Sequence, residues 1–216
     1  FTNRNLARVE MRKLSKSYVG KPNATAKDCQ LSINHKSNLL EGKAFYRVQN
    51  TTDTALDTIY VCINPGLKIQ KVFGSSGFKQ EKHFTDIYLE KPLSVGATDS
   101  LIIIYDGYIS EDICFLDYEN ESEYNSFNMW LFQVPEKHHF LETNYVLLSP
   151  ETFWYPRFEW PRGLGFPEYM NPTFINHKLS VKTKPGLTIL SQGKRTSKEL
   201  GSCSFDSQLP LPAISL

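Results

Sequence analysis

The chain has 216 residues, 40% hydrophobic and 13% aromatic, which is enough to bury one large core. Its 24 basic and 23 acidic residues leave a formal net charge of +1, so no overall field attracts nucleic acid, and we expect no nucleic-acid partner. The longest apolar run, residues 101–105, is too short to span a membrane. Because the chain begins with Phe1 rather than Met, we expect it to be a piece of a longer protein.

The first residues predict a short basic helix. Over residues 5–19, Ala7, Met11, Leu14 and Tyr18 follow the spacing of one helical stripe, with basic residues around the rest. A glycine and a proline then end the pattern. Two interpretations stay open: a basic helix close to a membrane, or a helix packed on the edge of the domain with a solvated cationic face.

After the helix, the hydrophobic period changes to two, which is typical of β-strands. The runs around Leu31 and around Gly42 predict a hairpin. The run at residues 101–105 is apolar without interruption, which predicts burial on both faces. Further strands are expected at residues 59–63, 67–73, 84–89, 128–134, 145–148, 174–182, 187–191 and 202–208. Turn signals at roughly ten-residue spacing favour a sandwich or barrel formed by one domain.

The sequence offers little catalytic chemistry. The four widely spaced cysteines lack zinc-site spacing and are expected to be buried thiols, although two disulfides stay possible in an oxidising compartment. His138 and His139 with Glu142 form the nearest candidate metal cluster, but a surface loop is the preferred interpretation. Alternating carboxylates at residues 117–123 predict a solvated acidic hairpin rather than a calcium site. We therefore expect no catalytic residue, metal or cofactor.

Aromatic residues are concentrated in the second half of the chain. Trp130, Trp154 and Trp160 are accompanied by prolines and further aromatic residues over residues 152–172. Such a segment can plug the core, form an interface with a partner, or provide a platform for sugars. The core and the interface are both kept as interpretations, and the sugar platform is the weaker alternative.

The order of these motifs resembles a known family. Leu31-Ser-Ile-Asn-His, the Gly42 strand, Leu67-Lys-Ile-Gln-Lys-Val, Leu93-Ser-Val-Gly and Leu101-Ile-Ile-Ile-Tyr-Asp-Gly are similar to the N-terminal β-domain of aminopeptidase N-type zinc metallopeptidases. Trp154-Tyr-Pro-Arg-Phe-Glu-Trp-Pro looks like a divergent form of the Phe-Pro-Cys-x-Asp-Glu-Pro segment of that family. The resemblance covers about residues 27–216 and rests on order and spacing.

The resemblance implies an all-β fold: a two-layer, saddle-like β-sandwich over residues 27–216, preceded by the helix in residues 1–22. In the family such a domain packs against a catalytic zinc domain, which would begin after Leu216. It implies a noncatalytic scaffolding and docking domain whose partner is a downstream peptidase-like domain of the same chain. The segment that matches the family motif is expected to face that domain, with these interface residues: Trp154, Tyr155, Pro156, Arg157, Trp160 and Pro161.

The chain also departs from the peptidase pattern. The family's Thr-Gln pair is absent from residues 144–151, and the acidic pair before the proline is reduced to Glu159. A similar arrangement occurs in bacterial transporter permeases of the ATP-binding cassette type that carry an aminopeptidase-like extracytoplasmic region. The basic helix fits that version, with a membrane-embedded permease region as partner and a periplasmic location. The alternatives are a sugar- or protein-binding β-sandwich and the N-terminal domain of an active zinc aminopeptidase.

Overall fold

A computed structural model describes residues 2–113, 139–159 and 173–216 of the protein, with the side chains from residue 6 onward. The described part is mainly β-structure with one N-terminal helix. Its elements are α1 (Thr2–Tyr18), β1 (Thr25–Lys36), β2 (Leu39–Gln49), β3 (Leu56–Cys62), β4 (Leu67–Phe73), β5 (Gly77–Glu81), β6 (Phe84–Leu93), β7 (Thr98–Gly107), β8 (His139–Leu141), β9 (Val146–Leu148), β10 (Asn176–Lys182), β11 (Lys194–Glu199) and β12 (Ser202–Asp206). The predicted all-β sandwich with a short N-terminal helix is confirmed.

One large sheet forms the first layer. Its strand order is β11-β12-β10-β1-β2-β7-β4, with β1 and β10 parallel and the other neighbours antiparallel. The predicted hairpin is β1–β2, in which Leu31 lies opposite Ala44. Buried and exposed residues alternate along both strands, as expected for a sheet with one face on a core.

The prediction that residues 101–105 are buried on both faces is wrong. Leu101, Ile103 and Tyr105 are buried, whereas Ile102 and Ile104 are half-buried on the opposite face. An apolar run of β-branched residues suits a central strand whatever covers its second face, so composition alone misleads here. The absence of a side chain at Gly42 leaves room for the Tyr105 ring: a Cβ there would lie 2.1 Å from its Cζ.

A three-stranded sheet, β3-β6-β5, forms the second layer, and β8–β9 is a separate hairpin. The main core includes residues of both sheets, among them Leu31, Tyr46, Ile59 and Ile87. The described cysteines Cys29, Cys62 and Cys203 are free and buried, which confirms the prediction of buried thiols for these three. Cys114 lies outside the described residues.

The strand predictions failed where the hydrophobic pattern is unusual. Strands β9, β10 and β12 were expected at about their observed positions, but residues 187–191 form no strand. Strand β11 was missed because its sequence, KRTSKE, is polar and every residue is exposed at the sheet edge. Strands β5 and β8 were missed too, the second because a surface loop was expected around His138 and His139. The strand expected at 128–134 lies outside the described residues.

Helix α1 packs against the domain through its predicted stripe. Met11 and Tyr18 are buried in a small cluster with Cys62, Phe84 and Phe153, and Leu14 packs on it. The Tyr18 ring stacks on Phe84 with ring centroids 4.0 Å apart, and its hydroxyl donates to Asp86 at 2.7 Å. No helix in the described ranges is long and apolar enough to cross a membrane.

We predict that residues 23–216 fold without α1. The main core begins at Ala24, so deletion of residues 1–22 removes none of its members. Loss of Met11 and Tyr18 from the smaller cluster should lower the free energy of unfolding by roughly 1.5–3 kcal/mol for each of the two side chains. Denaturant unfolding followed by circular dichroism measures this loss. Val19→Ala, at a side chain that is 70% exposed, should change nothing. A truncated chain without a cooperative transition would contradict the prediction.

Candidate functional site

Residues 153–159 belong to the segment expected to form the interface, which is described as far as residue 159, and they follow a 3-10 turn at Pro150–Thr152. Proline at the start of this turn has no N–H that would need a partner. Phe153 then takes a left-handed conformation with φ 50°, and its N–H donates to the carbonyl of Pro150 at 3.1 Å. This reversal directs the following residues inward, between the two sheets.

Trp154 and Tyr155 lie in the core. Trp154 is fully buried, and its indole N–H donates to the carbonyl of Ile214 at 3.2 Å. Tyr155 is 2% exposed, and its hydroxyl accepts the N–H of Ile214 at 3.3 Å. The two rings meet edge to face at 4.7 Å. The pair therefore attaches the last residues of the described chain to the centre of the domain.

Arg157 joins the segment to the small sheet. Its N–H and carbonyl each form a 2.7 Å hydrogen bond with the backbone of Cys62, at the end of β3. Its guanidinium donates to Glu159 and lies over the Phe153 ring at 5.0 Å. On the other side, the Tyr46 hydroxyl of the large sheet donates to the carbonyl of Pro156. The segment thus bridges the two layers.

A buried amide fixes the turn that precedes this segment. The Asn64 side chain is inaccessible to solvent, donates to the carbonyls of Ser110 and Thr152, and accepts the N–H groups of Gly66 and Ser110, at 2.7–2.9 Å. Its own N–H donates to the carbonyl of Phe153 at 2.9 Å. Three separate chain segments meet at this one side chain.

The structure therefore corrects part of the predicted interface. Trp154, Tyr155 and Pro156 are buried in the domain, which excludes these three as an exposed apolar patch. Their packing agrees with the core interpretation, because large aromatic rings fill the space between the two sheets. Arg157 is half-buried. Trp160 and Pro161, together with Trp130, lie outside the described residues, so their place in an interface stays a prediction.

A small cavity lies beside the segment. It holds about 20 Å³, room for a single water molecule, and its lining includes Tyr46, Tyr155, Arg157, Glu159 and His177. Burial lowers the pKa of His177 to about 4. Burial also lowers the pKa of His83 to about 4; this ring lies under α1, with its Nε2 2.8 Å from the Ser15 hydroxyl. Both imidazoles are therefore neutral in the folded protein at neutral pH.

The candidate metal cluster is only partly described. His139 pairs with Glu111, at 2.5 Å between Nδ1 and Oε1, and its N–H donates to the same carboxylate oxygen at 3.2 Å. Over the described ranges, no group of three histidine, cysteine or carboxylate side chains is arranged to hold a metal ion. His138 and the carboxylates at 117–123 lie outside those ranges.

Sequence reasoning missed an open groove of about 660 Å³ near the β8–β9 hairpin. Its lining is largely apolar and includes Tyr145, Val146, Leu187, Ile189 and Leu190. Tyr145 and Leu190 are 55% and 67% exposed. The signal that could have revealed the groove is the apolar pattern at 187–191, which predicts a strand where the structure has none.

No protein-family model matches the chain, and no curated protein matches it. Solved structures do. An M1 zinc metallopeptidase from Deinococcus radiodurans superposes with a TM-score of 0.60 at 15% identity, over 91% of this chain and 43% of its own. The same enzyme bound to a Tyr-Ser-Ala substrate gives a TM-score of 0.61 at 14% identity. Native yeast LTA4 hydrolase gives 0.55 at 12% identity, over 89% of this chain and 28% of its own.

These similarities establish the fold. The chain has the fold of the N-terminal β-domain of M1 zinc metallopeptidases, as the resemblance in the sequence implied. It spans less than half the length of the solved peptidases that it matches.

We predict that Trp154→Ala destabilises the fold. Removing this buried ring should cost about 3–5 kcal/mol of unfolding free energy, because the cavity it leaves between the sheets cannot fully collapse. Tyr145→Ala is the control: this exposed ring should change stability by no more than about 0.5 kcal/mol. Urea unfolding midpoints measure both effects. An unchanged midpoint for Trp154→Ala would contradict the burial of this ring in the core.

The two buried histidines predict a fall in stability with acidification. Both have a folded-state pKa of about 4, below the ordinary 6.5, so between these pH values the unfolded chain binds more protons than the folded one. The free energy of unfolding should therefore rise from pH 4 to about 6.5. Above about 6.5 these two groups should no longer make it depend on pH. Replacing both by phenylalanine should flatten the profile measured by thermal unfolding. An unchanged slope in the double variant would contradict the prediction.

Proposed function

We propose that this chain is a noncatalytic scaffolding and docking domain of a longer, aminopeptidase-like protein, and that its partner is a peptidase-like domain of the same protein. The observation that carries the proposal is the fold. About nine-tenths of the chain superposes on solved zinc metallopeptidases, while more than half of each peptidase lies beyond the superposed part. This chain supplies the β-domain, and the reaction belongs to the other part.

The packing of the domain supports a scaffolding role. Residues 153–159 bridge both sheets and hold Ile214 through two hydrogen bonds. A domain whose layers are joined in this way presents its surface as a rigid unit, which reduces the entropy lost on docking. The apolar groove beside β9 provides a surface to dock on.

We further propose that the longer protein is a permease of the ATP-binding cassette type and that this domain lies on its extracytoplasmic side. Helix α1 supports this version. Its apolar stripe packs on the domain, so the exposed side carries Lys13 and Lys16 together with Leu6 and Val9, which are 60% and 38% exposed. Basic and apolar side chains on one helix face suit a location next to an anionic membrane surface.

The sugar-binding alternative loses one of the three tryptophans on which it relied. Trp154 is fully buried, whereas Trp130 and Trp160 lie outside the described residues. A glycan array with the isolated domain tests what remains of this alternative, since the scaffold proposal expects no binding. The alternative that the longer protein is an active zinc aminopeptidase depends on the catalytic part. Zinc content and aminopeptidase activity of the longer protein distinguish it from the permease version.

The proposal predicts association in solution. The 216-residue chain and the remaining part of the encoded protein, expressed separately, should form a one-to-one complex by sedimentation, and the chain alone should neither retain zinc nor hydrolyse aminoacyl substrates. Stoichiometric zinc with chelator-sensitive hydrolysis by the chain alone would overturn the noncatalytic assignment. Failure of the two parts to associate would overturn the docking role.

A further inference from the structure

Within the described residues, the outer edge of β9 is paired at one residue. The N–H of Leu148 donates to the carbonyl of Leu216 at 2.7 Å, and the N–H of Leu216 donates to the carbonyl of Leu148 at 3.1 Å. This reciprocal pair is one rung of an antiparallel ladder. Leu216 therefore pairs with β9 in the way that a residue of a neighbouring antiparallel strand would.

The edge continues beyond that rung. In the hairpin, Phe140 lies opposite Leu147, and the N–H of Glu142 donates to the carbonyl of Tyr145 at 3.0 Å, so Tyr145 and Leu147 direct their backbone groups toward β8. Successive residues of a strand alternate, so Val146 directs its N–H and carbonyl to the same side as Leu148. In the described part of the chain, no strand pairs with that side of Val146.

The groove lies along this edge. Val146 and Leu216 line it together with residues 187–190, which have a strand-like sequence and no strand partner in the described ranges. The residues that follow this segment are held next to Leu216, because the Ser191 hydroxyl donates to the carbonyl of Ser215 and the N–H of Ser215 donates to Gln192. An open strand edge and an apolar segment thus line the same groove.

We propose that this groove binds one extended strand of the peptidase-like domain, antiparallel to β9, with the register that the Leu148–Leu216 pair sets. This inference rests on the proposed function. The strand pairs with the backbone of Val146 and places alternate apolar side chains against Leu187 and Leu190, the combination of backbone affinity and side-chain pockets by which sheets recruit peptides.

A second copy of this chain is the less suitable occupant. Two copies that joined through their β9 edges would need the whole outer edge of the strand. Leu216 already holds the Leu148 end of that edge, which leaves one residue of a three-residue strand for pairing. A strand that continues the direction of Leu216 meets no such obstacle.

Hydrogen exchange tests the pairing directly. In the 216-residue chain, the Val146 amide should exchange faster than those of Leu147 and Leu148, which have partners. In the complex with the separately expressed remainder, exchange at Val146 should slow by about tenfold or more. Equal exchange at Val146 in the free chain and the complex overturns the inference. Protection that instead depends on the concentration of the chain alone identifies a second copy as the occupant and overturns it too.

Two exposed leucines provide a matched pair of variants. Leu190 lines the groove and is 67% exposed; Leu200, in the turn between β11 and β12, is 84% exposed and outside it. Leu190→Asp should weaken the complex at least about tenfold, because it puts a charge against an apolar strand, while Leu200→Asp should not. Both variants should unfold like the original chain.

The outcomes separate the two proposals. If the original chain does not associate with the remainder, the proposed function fails and the inference fails with it. If the original chain and both variants associate equally well, the docking role stands and the groove is not its site.

Discussion

The buried side chain of Asn64 is the interaction on which the arrangement of the two layers depends. Its amide accepts two backbone N–H groups and donates to two carbonyls, so all four of its hydrogen-bonding positions are used. Within a low-dielectric interior, an unpaired polar group costs on the order of 1–3 kcal/mol, and this network leaves none of the four unpaired. It joins the end of β3 to the turn at Pro150–Thr152, from which the bridging segment starts.

That bridging segment, residues 153–159, connects parts of the chain that are distant in sequence. Phe153 takes a left-handed conformation, and Asn64 holds its carbonyl, so the next residues enter the space between the sheets in one direction. Trp154 then donates a hydrogen bond to Ile214 near the groove, and the backbone of Arg157 pairs with that of Cys62. The last residues of the chain, which line the groove, are therefore joined to the core.

The sequence predicted the fold well where side chains alternate. Strands β1 and β2 have one buried and one exposed face, and their period of two is evident in the sequence. Strand β11 could not be found in this way, because KRTSKE has no apolar face and joins the sheet by backbone pairing with β12. The prediction for residues 187–191 failed in the opposite sense: the sequence has a strand pattern, but these residues have no strand partner in the described structure.

The candidate site was harder to predict than the fold, and the reason is physical. The sequence around Trp154 looks the same whether this ring fills a core or contacts a partner. Only the folded positions of Ile214 and of the two sheets show that the ring lies in the core. The open edge beside the groove is formed by the outward backbone groups of Val146, and the side-chain pattern does not reveal which way these groups point. Backbone pairing places few demands on side-chain identity. A site formed by backbone groups therefore leaves little trace in the amino-acid sequence, and only the folded structure reveals it.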